Sequence, residues 1–218
     1  MNQEEEENIN DILFFGANSP EETNRVTGLY GEVTDDNCRT LISSLYYFRD
    51  TGKVKEEPEQ EQEQEPEPES EAKTDPETES EPVIGYIPMD FLVSTEGGSV
   101  QDMFAVYDCM RDIKKDCDIR TFGIGKVMSA GVLLLAAGTK GSRRVGKNCR
   151  LMLHAPSGGQ FGSLKELEVD IREVKCVKAL AQESNLSERK IRGIFRKKTD
   201  TYFDADQAVE WGIADEVV

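Results

Sequence analysis

The stretch that most constrains the fold runs from Gly123 to Gly138 and reads GIGKVMSAGVLLLAAG. Its second part, 129–138, is apolar on every side when it is wound as a helix, so other elements must cover it. The residues at 118–125 have the pattern of a strand. A strand that leads through small residues into a buried helix is typical of layered α/β proteins.

The rest of the chain repeats this alternation of strand-type and helix-type segments. In the segment 164–184, for example, apolar residues recur every three to four positions, which is typical of a helix. We predict one α/β domain over 1–218, built from repeated β–α units around a largely parallel sheet. The predicted strands are 24–33, 86–94, 118–125 and 142–156, and the predicted helices are 35–52, 97–115, 129–138, 164–184 and 204–212.

One segment, 53–82, cannot contribute to a core. It is a Glu/Gln/Pro tract, and between Glu56 and Pro82 it holds thirteen acidic residues and one lysine, which accounts for most of the chain's formal net charge of −17. Such a composition cannot offset its ordering entropy, so we predict a disordered insert within the domain. Two interpretations remain open, a passive solubilising loop and a docking arm. The acidic residues 1–10 are expected to be mobile.

Composition also disfavours several classes of function. The negative charge disfavours nucleic acid and anionic membranes as partners. The chain has no apolar run long enough to span a bilayer, no basic–apolar signal segment and no phosphate-binding G-x-x-x-x-G-K-[ST] motif. The five cysteines are an odd number, which argues for reduced thiols in a cytoplasmic compartment. The single histidine argues against a zinc site, and we expect no other cofactor.

Two residues stand out chemically. Ser129 lies at the start of the predicted buried helix, and His154, the only histidine, ends an apolar strand. A serine becomes a nucleophile when a histidine removes its proton and N–H groups receive the developing oxyanion. Each residue alone is also explained by structure, Ser129 as a helix N-cap and His154 as a core histidine.

The order of these features along the chain resembles a known family. A glycine pair after a strand comes first, then the serine, then the histidine 25 residues later, then a long helix and an aspartate. The stretches VSTEGGSVQDMFAVYDCM, GKVMSAGVLLLAAGTKGSRRVGKNCRLMLHAPSGGQFG and KKTDTYFDADQAVEWGIADEV resemble the proteolytic subunit of the Clp protease, ClpP. The resemblance covers 24–52 and 84–218, and it implies the ClpP/crotonase-like fold with a protruding handle helix.

The resemblance implies a set of site residues. Ser129 would be the nucleophile, His154 the general base and Asp200 the residue that orients the histidine, with the N–H groups of Gly98 and Ala130 as the oxyanion hole. No metal ligand is implied. The residues implied to pair with an extended peptide substrate are Gly158, Gly159, Gln160 and Phe161.

The resemblance also implies an assembly. Members of the family form heptameric rings that stack through the handle helix, here 164–184, into a tetradecamer, and an AAA+ Clp ATPase feeds them polypeptides. The chain departs from the family at Glu96, where a proline is usual, and at Lys198-Thr199, where a Glu-Arg pair helps join the rings. The acidic insert has no counterpart in ordinary members and would suit a phage-encoded or otherwise specialised copy.

Three other functions are distinguishable from a degradative serine endopeptidase. The first is a non-catalytic ring subunit or scaffold whose acidic loop binds a partner. The second is a specialised viral maturation protease that cuts one protein. The third is a crotonase-type acyl-CoA enzyme, which the spacing of the serine, histidine and aspartate disfavours.

Overall fold

The computed structural model describes residues 24–55, 84–156, 163–197 and 199–218. Within these ranges strands and helices alternate, which confirms the predicted α/β class. The strands are β1 (Val26–Val33), β2 (Lys53–Lys55), β3 (Ile84–Tyr86), β4 (Met89–Gly98), β5 (Ile119–Met128), β6 (Arg144–Val145), β7 (Arg150–Leu153), β8 (Thr201–Phe203) and β9 (Glu216–Val217). The helices are α1 (Asp35–Thr51), α2 (Val100–Ile113), α3 (Ala130–Ala136), α4 (Ser163–Glu183), α5 (Glu188–Phe195) and α6 (Ala205–Glu210).

The main sheet is mostly parallel. Its strands run in the order β1-β4-β5-β6-β9, and β5 also pairs in parallel with β7. Strand β8 returns antiparallel to β7. Parallel neighbours place their carboxyl ends at one edge of a sheet, so the residues that follow β4, β5 and β7 lie close together.

The core lies on one face of this sheet. Along β4 the side chains alternate between buried and partly exposed, which shows that one face is covered and the other is not. Helix α3 packs against β4 and β5, and all seven of its residues are buried, as the apolar run predicted. None of the helices in the described ranges is long and apolar enough to cross a membrane.

Helix ends follow from local sequence. Thr34 caps α1 by accepting from the N–H of Asn37, and Gly52 ends that helix. Asp204 and Gln207 form a capping box at the start of α6, which confirms the predicted boundary. These caps satisfy N–H groups that have no partner within the helix.

Several boundaries differ from the predicted ones. The strand predicted at 118–125 continues to Met128, with a register shift opposite the interval between Val93 and Thr95. The segment 142–156 forms two short strands rather than one, and α5 was not predicted. Strand β2 occupies the first three residues of the predicted insert 53–82 and pairs with β3, so ordered structure extends to Lys55. The remainder of the predicted insert and the residues 1–10 lie outside the described ranges.

Candidate active site

Ser129 occupies a strained turn between β5 and α3. Its backbone has φ 53° and ψ −116°, and among the described residues it is the only non-glycine with a positive φ. Such a conformation costs about 1–3 kcal/mol and persists where the surrounding structure imposes it. The Ser129 side chain makes no capping hydrogen bond to α3, so the N-cap explanation of this serine does not hold.

The sheet brings His154 to the serine. Met128 and Met152 are partners in the parallel pairing of β5 with β7, and the N–H of Ser129 donates to the carbonyl of Met152 at 2.8 Å. Ser129 follows β5 directly, and His154 follows β7 directly. The His154 Nε2 and the Ser129 Oγ lie 2.8 Å apart. With Nε2 unprotonated, the serine hydroxyl donates this hydrogen bond, which is the arrangement for proton removal by the imidazole.

The glycine pair at the end of β4, Gly97–Gly98, lies next to Ser129. Thr95 of β4 pairs with Val127 of β5, so the residues two further on, Gly97 and Ser129, are neighbours. A Cβ added at Gly97, where φ is +97°, would lie 2.6 Å from the Ser129 Cβ. Only glycine allows the two backbones to approach this closely.

The proposed oxyanion donors lie at the ends of the same elements. Gly98 ends β4, where a side chain would strike the backbone of Val33 on β1. Ala130 is the first residue of α3, so its N–H has no acceptor within the helix. Both positions therefore border the turn that carries Ser129.

Asp200 is placed near the histidine by backbone register but forms no hydrogen bond to it. Leu153 pairs with Thr201 in the antiparallel pairing of β7 with β8, which brings Asp200 opposite His154 when the register is extended by one residue. The Asp200 side chain is exposed, and within the described residues it forms no hydrogen bond to His154. The predicted substrate strand, Gly158 to Phe161, lies outside the described residues.

Ser129 and His154 line the same pocket. The side chains that form the rest of its described wall are mostly apolar and include Met103, Leu133, Leu153 and Phe195. Phe195 comes from α5, which sequence reasoning missed although Ser187 caps it and Ile191, Ile194 and Phe195 are buried on one side. An apolar pocket beside the Ser129 hydroxyl can hold an apolar group of a ligand.

Burial disfavours the thiolate form of all five cysteines by raising the pKa of each. All five are unpaired. Burial raises the pKa of four of them to about 11, so they carry almost no thiolate near neutral pH; these are Cys38, Cys109, Cys149 and Cys176. In the described part of the chain, no cluster of His, Cys, Asp or Glu side chains is arranged to hold a metal ion.

A serine hydrogen-bonded to a histidine at the carboxyl edge of a parallel sheet is an arrangement found in serine hydrolases. The family model of the Clp protease matches residues 86–218, more than half of the chain. The chain therefore belongs to the Clp protease family.

Two relatives show how far the similarity reaches. The chain is 36% identical over 131 residues to the ATP-dependent Clp protease proteolytic subunit 3 of Frankia casuarinae, an alignment that covers 58% of this chain and 60% of that protein. The match thus spans about three fifths of the relative's length. The crystal structure of the ClpP protease catalytic domain from Plasmodium falciparum matches with a TM-score of 0.65 and 23% identity, over 89% of this chain and 84% of that one. The second likeness confirms the predicted fold.

Proposed function

We propose that this protein is a serine endopeptidase of the Clp type that cleaves unfolded polypeptides or peptides. The observation that carries the proposal is the 2.8 Å contact between Ser129 and His154 at a strained turn. Membership of the Clp protease family supports the reaction class.

The reaction proceeds in two halves. The Oγ of Ser129 attacks the carbonyl carbon of the scissile peptide bond while its proton passes to Nε2 of His154. The N–H groups of Gly98 and Ala130 receive the negative charge on the carbonyl oxygen. The tetrahedral intermediate collapses, the amine leaves with the proton from His154, and an acyl ester remains on Ser129. Water, deprotonated by His154, then releases the second product and restores the hydroxyl.

Substrate binding and assembly follow the family. The Gly158–Phe161 segment pairs with an extended peptide by main-chain hydrogen bonds, which give affinity with little side-chain selection. The protein assembles into homo-oligomeric rings, heptameric and stackable as a tetradecamer, and an AAA+ Clp ATPase supplies substrate. The Frankia relative is named as a subunit of an ATP-dependent protease, which supports such a partner. Five unpaired cysteines support a reducing, cytoplasmic location.

A second candidate is a non-catalytic ring subunit or scaffold whose acidic insert binds a partner. The observation in its favour is the missing hydrogen bond between Asp200 and His154. A specialised maturation protease uses the same site and differs only in substrate.

The first test uses a fluorophosphonate probe, which modifies an activated serine without requiring the natural substrate. We expect intact-mass analysis of the full chain to show one adduct, mapped by peptide digestion to Ser129. The His154→Ala variant should show none, because the proton on Oγ then has no acceptor. An unmodified wild-type chain would contradict the proposal and favour the scaffold.

A second test addresses Asp200. If its carboxylate turns onto the free nitrogen of His154 during the reaction, Asp200→Asn should slow modification of Ser129 by at least about a hundredfold, since the imidazole loses its orienting partner. Asp206, an exposed aspartate in the first turn of α6, provides the matched control Asp206→Asn. Equal rates for Asp200→Asn and the wild type would show that Ser129 and His154 act as a dyad.

A further inference from the structure

The glycine pair Gly97–Gly98 ends β4, and the chain turns there into α2. This turn is in direct contact with the backbone that carries Ser129. A Cβ at Gly97 would lie 3.1 Å from the Ser129 Oγ and 3.0 Å from the carbonyl oxygen of Met128. The N–H of Gly97 donates to Oγ1 of Thr95 at 2.9 Å, and Thr95 is fully buried. The turn is therefore anchored on its core side, and any shift of it moves Gly98 relative to Ser129.

On the solvent side, the same turn is tied to β5 by an ion pair. The carboxylate of Glu96 accepts a hydrogen bond from Nζ of Lys126, three residues before Ser129. Thr95 and Val127 are register partners that face the core, so their neighbours Glu96 and Lys126 lie on the opposite face. The hydrogen bond from Lys126 lowers the pKa of Glu96.

We propose that Glu96 and Lys126 are positioning residues for the reaction at Ser129. Lys126 neutralises the carboxylate of Glu96, which lies one residue before the glycine pair Gly97–Gly98. The inference rests on the proposed peptidase function.

The physical reason is the charge that develops during acylation. Negative charge appears on the substrate oxygen beside Gly98, and an unneutralised carboxylate nearby would raise the energy of that state. The side chains of Lys126 and Glu96 are 42% and 57% exposed, so their pair contributes little to global stability. Loss of Lys126 should therefore leave the fold unchanged. It should lower the rate at Ser129, because it leaves the charge of Glu96 without a partner.

The test measures the second-order rate constant for fluorophosphonate modification of Ser129 in the full chain. We expect Lys126→Met to lower it about fivefold to tenfold at low salt, because the variant leaves Glu96 unpaired. The double variant Glu96→Gln/Lys126→Met should recover most of the loss, because it carries no bare carboxylate. Added salt should reduce the difference in rate constant between Lys126→Met and the wild type, because it screens the charge of Glu96.

Lys115→Met is the matched control. Lys115 follows α2 and forms an exposed ion pair with Asp112 at 2.8 Å, at the end of α2 away from the glycine turn. The Lys115→Met variant should have the same rate constant and the same melting temperature as the wild type. Equal rates for Lys126→Met and the wild type, or a double variant as slow as Lys126→Met, would overturn the inference while leaving the peptidase proposal intact. An unmodified wild-type chain would overturn both.

Discussion

Replacing Ser129 with alanine is expected to lower hydrolysis of a fluorogenic peptide by at least about a thousandfold. The hydroxyl is the only group at this position that can form the acyl ester, and burial keeps the neighbouring thiol of Cys176 protonated. The fold should be retained, because the serine side chain makes no capping bond to α3 and its loss removes the hydrogen-bond partner only of the partly buried Nε2 of His154, which lines the pocket.

The measurement compares initial rates and thermal unfolding of the wild type, Ser129→Ala and Ser43→Ala. Ser43 lies on the exposed side of α1 and bonds only to the carbonyl of Arg39 one turn earlier, so its alanine variant should keep full activity. Hydrolysis that persists in Ser129→Ala would place the nucleophile elsewhere and remove the basis of the proposed mechanism.

The largest loss of stability is expected from Arg143→Met. The guanidinium of Arg143 is buried and donates to the carbonyls of Ala136, Glu183 and Gly212 at 3.1, 2.7 and 2.8 Å. It also binds the carboxylate of Asp215 through two nitrogens, at 2.9 and 2.6 Å. Methionine fills similar space but leaves these acceptors without their donor, which typically costs about 3–5 kcal/mol.

Denaturant unfolding at several pH values measures this loss. Burial raises the pKa of Asp215, but the hydrogen bonds from Arg143 outweigh burial and leave the pKa below its ordinary value. A depressed pKa stabilises the fold above the unfolded-state value and loses that contribution as the pH falls through the folded-state value. The difference between wild type and Arg143→Met should therefore be full at neutral pH and shrink in acid below about pH 4.

Arg192→Met is the control for this experiment. Arg192 forms a partly exposed pair with Glu188 one turn away on α5, at 3.4 Å, and pairs of this kind contribute less than about 1 kcal/mol. A similarly small loss for Arg143→Met would mean that the three carbonyls and Asp215 find other partners.

The long elements could be predicted because their own composition determines them. The apolar run 129–138 predicted the buried helix α3, and Gly52 and Asp204 mark the predicted end of α1 and start of α6. The end of β5 could not be read from sequence. Gly125 has φ +63° and resembles a strand terminator, yet pairing with β4 and β7 carries the strand on to Met128. Tertiary pairing here overrides the local signal.

The candidate site was likewise predictable only in part from the sequence. Ser129 and His154 are recognisable from residue type and order, and the sheet brings them together. The contact of Gly97 with Ser129 and the pairing of Glu96 with Lys126 depend on strand register, which no local pattern contains.

The antiparallel pair of β2 and β3 lies at the opposite end of β4 from the candidate site. It lies where the chain enters β4, whereas Gly98 lies where the chain leaves that strand, and ten residues of extended backbone place these ends about 30 Å apart. Lys55 and Ile84, the residues at which the segment 56–83 joins the described chain, are therefore far from Gly98 and Ser129. Substitutions in β2 and β3 are expected to leave the geometry around Ser129 unchanged.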